Sequence, residues 1–216
     1  SKAISARSAG KTASLKNAAA AAAVILSKAK QPLLAGLGTD VAGMRALMQI
    51  ADRIGAVVDH MNSAYFMSNV LALQDGGWLT TTLSEVKNRV DLLVIAGTDV
   101  ASRFPRFFER YIWNRDALFG SNTREVVYLG RGLDTQAGTA PDGRKPTVIA
   151  CDVTRIGEIA GALRCLIARR HMQIDPVASV PLSELQQLAK RMQNARYGVL
   201  AWAAADFDFK HADLTV

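Results

Sequence analysis

The run Asp91-Leu92-Leu93-Val94-Ile95-Ala96 constrains the fold more than any other segment of the chain. Consecutive apolar residues without polar alternation describe a strand buried on both faces, and such strands belong to parallel sheets covered by helices. Gly97-Thr98-Asp99-Val100-Ala101 follows at once. Leu34-Ala35-Gly36-Leu37-Gly38-Thr39-Asp40-Val41-Ala42 repeats the junction of Ile95 to Ala101, so two similar strand-to-helix units stand about sixty residues apart.

The rest of the chain alternates in the same way. A helix is expected from Thr12 to Lys30, where a Ser/Thr start leads into strong helix formers and closes on basic residues. Gln31-Pro32 breaks it, and Leu33-Leu34-Ala35 leads through the glycine turn to a helix over Val41 to Ile54, capped by Thr39 or Asp40 and stopped by Gly55. Met44, Leu47, Met48 and Ala51 form its apolar face. A short strand at Ala56 to Val58, short helices around Asn69 to Leu73 and Thr82 to Asn88, and a glycine turn at Gly76-Gly77 are expected next. Further strands fall at Val126–Leu129, Thr147–Ala150 and Tyr197–Trp202, with helices near Ile156–Arg170 and Leu182–Asn194 and an exposed loop over Gly130–Lys145. The expected fold is α/β, Rossmann-like and doubly wound, with mainly parallel sheets and helices on both faces. Residues 1–30 are expected to form an N-terminal helix and tail. Residues 31–216 form the core, divisible into Rossmann-like subdomains of about 31–90 with 197–216, and 91–196.

The formal charge of +7 and a pI near 9.7 favour anionic partners. The basic residues are spread along the chain rather than clustered with aromatics, which argues against nucleic acid. The longest apolar stretch, Ala18 to Leu26, is too short to cross a bilayer and nothing before it resembles a secretory signal, so a cytoplasmic, membrane-free protein is expected. Two cysteines, Cys151 and Cys165, give no disulfide framework or metal knuckle and read as buried free thiols. The chain opens on Ser1 and stops at Leu214-Thr215-Val216, and a neighbouring segment is expected at one or both ends.

Candidate sites are few. Gly36-Leu37-Gly38, with Asp59 about twenty residues on, supplies half of a dinucleotide fingerprint, but Val41 stands where the third glycine belongs and a capped turn is the plainer reading. Ser63, Ser68 and Ser84 have no local histidine to activate them, and His60, His171 and His211 lack metal-ligand spacing, so no catalytic residue and no metal site is assigned. Arg103, Arg106 and Arg110 would share one helical face beyond the carboxyl end of the 91–96 strand, as an anion or partner contact. Phe104, Phe107, Phe108, Tyr111 and Trp113 crowd the same segment, which calls for burial on several sides or a meeting with another protein chain.

Pro32-Leu33-Leu34-Ala35-Gly36, Ala72-Leu73-Gln74-Asp75, Thr82 to Asp91 and Phe104-Pro105-Arg106 together resemble the B subunit of formylmethanofuran dehydrogenases, with the similarity running from about residue 15 to 216. The resemblance implies a molybdopterin oxidoreductase (formate dehydrogenase-like) core that holds tungsten or molybdenum on a pterin dinucleotide. It also shows four degenerate positions. Tyr65 and Phe66 stand opposite the family's metal-binding cysteine and its following histidine, while Gly97 and Asp99 lie in an altered tryptophan-glycine-asparagine-proline turn. This pattern is most similar to the redox-inactive B subunit of the bacterial formyltransferase/hydrolase complex. The resemblance implies a non-catalytic subunit, without a cofactor of its own, in a complex that moves a formyl group from tetrahydromethanopterin to a methanofuran-type carrier and releases formate. Its implied partners are an amidohydrolase-like, zinc-bearing A subunit, a C subunit and a formyltransferase D subunit. A tungsten- or molybdenum-pterin dehydrogenase component is the alternative, and a stand-alone nucleotide-binding enzyme is a third class.

Overall fold

The computed structural model describes residues 6–118 and 123–207; His211 and the Leu214–Val216 run lie outside them. The chain divides into two compact units, Ser1–Ser63 and Ala64–Val216.

In the first unit, β1 (Arg7–Ser8) and β2 (Lys11–Thr12) form a small antiparallel hairpin around Ala9-Gly10. Helix α1 (Leu15–Lys28) starts where Ser14 Oγ accepts from the Asn17 amide at 3.2 Å. It is shorter than the expected 12–30 because Lys11–Thr12 is spent on the hairpin. Strand β3 (Leu33–Leu34), α2 (Val41–Ile54) and β4 (Val57–Val58) make a parallel βαβ unit. Asp40 caps α2 by accepting from the Gly43 amide at 2.7 Å, and Gly55, at φ +62°, closes it in the left-handed conformation. Of the expected apolar face, Ala51 is buried but Met48 remains exposed.

The second unit takes up α3 (Ser63–Gly76) from its second residue, Ala64, a continuous helix where only a short one near 69–73 is expected from sequence. Its low apolar periodicity, with no residue buried, hides it from pattern reading. Helix α4 (Leu83–Arg89), capped by Thr82, precedes β5 (Leu92–Ala96), whose five residues are all buried as the opening segment requires. Helix α5 (Val100–Arg103) and a π-helical turn at Phe108–Ile112 come next. They lead to β6 (Glu125–Leu129), β7 (Thr147–Ile149), α6 (Ile156–Ile167), α7 (Leu182–Asn194) and β8 (Gly198–Ala201).

These four strands form one parallel sheet in the order β7-β6-β5-β8. Counted along the chain the order is 3-2-1-4, the core of a doubly wound sheet, with the direction of winding reversed between β5 and β8. One face packs Val94, Val127 and Ile149 against Ile159 and Leu163 of α6 and Leu185 and Leu188 of α7. The other packs Leu93, Ile95 and Tyr128 against Val86 of α4, Val100 of α5 and Phe108 and Ile112 of the π turn. Helices thus cover both faces, as the unbroken apolar run of β5 demands. Strand β8, from the 197–216 segment that sequence groups with 31–90, pairs directly with β5 in this unit, Leu92 facing Gly198 through Ile95 facing Ala201.

Candidate functional site

In open α/β sheets the crevice lies outside the carboxyl ends of the strands where the winding reverses. Here that place is the junction of β5 with β8. A cleft of about 420 Å³ opens there, bounded by Thr98 and Val100 beyond β5, by Ala201-Trp202-Ala203 beyond β8, and by the 103–111 segment with its three arginines. The volume lies within the range of small-molecule sites.

The expected single helical face for Arg103, Arg106 and Arg110 is overturned. Pro105 has no amide hydrogen to donate and disfavours a helical conformation at the residue before it, so α5 stops at Arg103 and Phe104 turns out at φ −135°. The chain then re-enters as the π-helical turn, with the Trp113 amide donating to the Phe108 carbonyl at 2.7 Å. All three arginines still line the cleft, by a different route from the one expected.

Two of them are neutralised. Arg103 donates from Nε to Asp206 at 3.1 Å and forms a second, short contact from its terminal nitrogen to the same carboxylate. Thr98, buried beneath, donates its hydroxyl to Asp206 as well. Burial alone would raise the Asp206 pKa, but the hydrogen bonds from Arg103 and Thr98 and the guanidinium charge outweigh it and hold the carboxyl below its usual range. Arg106 pairs with exposed Glu109, Nε to carboxylate 2.9 Å. Among the described residues no ion pair involves Arg110.

The aromatic side chains divide their work. Phe108 and Ile112 are buried, and Phe107 meets Phe108 edge-on with ring centres 5.5 Å apart. Phe104 stays 65% exposed at the mouth of the cleft. Burial on several sides explains the inner rings but not the outer one.

At the positions that the resemblance marks as altered, Asp99 caps α5 by accepting from the Ser102 amide at 3.0 Å, the role Asp40 has on α2, so the repeated Thr-Asp-Val-Ala junction is a repeated cap. Gly97 sits at φ +60°, and a Cβ there would lie 2.7 Å from Ile156 and Phe207 carbons. The turn is therefore closely packed, and only glycine fits it. Tyr65 and Phe66 occupy the first turn of α3, Tyr65 half-buried and Phe66 exposed. A phenol and a phenyl ring do not fit as soft ligands for tungsten or molybdenum. Among the described residues no group of three or more His, Cys, Asp or Glu side chains could hold a metal ion.

The glycine turn of the first unit follows the same logic. Gly36 is at φ +80° between β3 and α2, and Asp59 follows β4 as the fingerprint requires. The start of α2, however, is capped by its own Asp40, and Val41 is exposed. Cys151 is fully buried, which pushes its thiol pKa up, whereas Cys165 is only partly covered. No helix among the described residues is long and apolar enough to cross a membrane.

No family model matches the chain. It is 29% identical over 182 residues to the B subunit of the tungsten-containing formylmethanofuran dehydrogenase 2 of Methanocaldococcus jannaschii, a match covering 83% of this chain and 41% of the relative. It is 26% identical over 193 residues to the B subunit of the formyltransferase/hydrolase complex Fhc of Methylorubrum extorquens, covering 89% and 49%. The chain thus spans less than half the length of these curated relatives. A chain from the crystal structure of the M. extorquens formyltransferase/hydrolase complex (FhcABCD) with methylofuran shares the fold at a TM-score of 0.64 and 23% identity, over 94% of this chain and 52% of that one. The protein is a homologue of the B subunits of formylmethanofuran dehydrogenase and of the formyltransferase/hydrolase complex.

Proposed function

We propose that this chain is a structural, non-catalytic B-type component of a formyltransferase/hydrolase complex. Similarity to B subunits along 83% and 89% of the chain carries the reading. In this reading the fold derives from a molybdopterin oxidoreductase core whose redox site has been given up. Tyr65 and Phe66 replace soft and polar ligands, and the Gly97 turn is packed by Ile156 and Phe207. The cytoplasmic complex moves a formyl group from formyl-tetrahydromethanopterin to a methanofuran-type carrier and releases formate. An amidohydrolase-like A subunit with zinc and a formyltransferase D subunit supply the chemistry, while the present chain and a C subunit hold the assembly. The solved M. extorquens complex contains methylofuran, which supports the carrier class. Arg103, Arg106 and Arg110, with exposed Phe104, form the surface offered to a partner.

The name of the M. jannaschii relative favours a second reading, a tungsten- or molybdenum-pterin dehydrogenase component. The side chains at the expected ligand positions do not fit it. The deciding experiment is the tungsten, molybdenum and pterin content of the complex purified anaerobically with its natural partners, together with formyl transfer and formate release by the same preparation. Formate release without pterin or either metal is the expected result. Near-stoichiometric metal and pterin on this chain would overturn the structural reading.

A further inference from the structure

A second charged region lies at the opposite, amino-terminal edge of the same sheet, where β6 and β7 begin. Its centre is Arg124, immediately before β6 and only 4% exposed. The guanidinium donates to the carbonyls of Tyr111 at 2.8 Å and Ile112 at 2.6 Å, and to the Lys87 carbonyl as well. Carbonyls satisfy hydrogen bonds but bring no negative charge. Among the described residues no carboxylate lies within ion-pair distance of it. Burial alone lowers its pKa, with no acid opposing the shift. A buried arginine is ordinarily matched by a carboxylate or phosphate, because an uncompensated charge in a low-dielectric setting is costly.

What surrounds Arg124 adds to the imbalance. Two adjoining cavities, of about 310 and 350 Å³, share Trp113, Arg124, Ala140 and Arg144 as walls. Lys145 and Arg191 line the first and Arg115 the second. Two carboxylates answer these five cations: Asp142, 2.8 Å from Arg144, and Glu125, 2.8 Å from Arg191. Lys145 makes no ion pair among the described residues. Arg144 is also tied back by a 3.3 Å bond to the Arg124 carbonyl, which holds the two guanidinium-bearing residues on one wall. Five cations against two carboxylates leave an excess of positive charge around this hollow, and unpaired Lys145 offers its ammonium at the rim, a setting that suits a tetrahedral oxyanion of more than one charge.

We infer that this hollow is an anion site, separate from the β5–β8 cleft, that takes a phosphate group. The ligand supplies the negative charge that Arg124 lacks and spans Arg144, Lys145 and Arg191 at the surface. Isothermal titration of the 216-residue chain with inorganic phosphate, in a chloride buffer of constant ionic strength, tests it. A parallel titration with adenosine monophosphate distinguishes free from esterified phosphate. Saturable binding of either is expected. Lys145→Glu, at an exposed side chain whose loss leaves the fold intact, should weaken it by at least about tenfold. Lys145→Arg, which keeps the charge, should retain it. Binding that does not saturate for either ion, or that Lys145→Glu leaves unchanged while circular dichroism shows the variant folded, would overturn the assignment.

Discussion

Asp206 shows how much of a site can hang on a residue that no motif announces. It lies beyond β8 and more than a hundred positions from the residues it joins, so neither periodicity nor local spacing points to it. Arg103, by contrast, is legible as a site candidate because it follows β5 closely. Its partner is not, because the contact is made by folding alone. Gly97 is legible as a turn, but the crowding that makes it obligatory comes from Ile156 and Phe207, both distant in sequence. The Asp206 contact has a pH signature. Its carboxyl pKa is held below the unfolded value of about 3.9. The stability it contributes is therefore fully present above that value and is lost as pH falls through the folded pKa. Urea midpoints of the wild-type chain and of Asp206→Asn should differ at pH 7 and converge toward pH 3. A gap that stays constant across this range would show that Arg103 and Thr98 do not depend on the ionised carboxylate.

At the scale of elements, α2 matches its expected span because strong local signals, Asp40 and Gly55, mark both its ends, whereas α7 matches without such caps, through the apolar stripe of Leu185, Leu188 and Ala189 that it buries. Strand β5 is legible for a tertiary reason written locally: burial on both faces forces an unbroken apolar run. Helix α3 escapes pattern reading because residues on all its sides stay partly exposed, which leaves no stripe to read. The 103–110 segment reads as one helical face when the arginine spacing is given more weight than Pro105. In the folded chain the break lets Phe108 and Ile112 seal the core while Phe104 and Arg106 turn outward. That division makes the segment testable as a contact. Arg106→Glu sets two acids beside each other at an exposed pair, so the isolated chain should keep its melting temperature to within a few degrees. Its affinity for the partner proteins should fall by about tenfold or more if Arg106 meets an acidic surface. Equal recovery of wild-type and variant complexes in salt-matched pull-downs would remove the segment from the interface.

At the scale of the molecule, the two units differ in how much core each possesses. The second holds the four-stranded sheet and both apolar clusters. In the first, the described residues bury only Pro32 and Ala51, while Leu33, Val57 and Val58 of its two-stranded parallel sheet remain exposed. Parallel strands are ordinarily covered on both faces, and two strands alone are marginal in water. The alternation of strands and helices in the sequence reveals both units as α/β but not this asymmetry, since Leu33 and Val57 look as core-like as Leu93 and Val127. The asymmetry predicts separable stability. A chain beginning at His60, which keeps α3 entire, should unfold cooperatively with a urea midpoint close to that of residues 1–216. Residues 1–62 alone should show little protected amide hydrogen exchange, because βαβ hydrogen bonds without a covered face open readily. If the shortened chain instead loses cooperative unfolding, the sheet's stability depends on the first unit, and a core confined to residues 64–216 is the wrong account of the molecule.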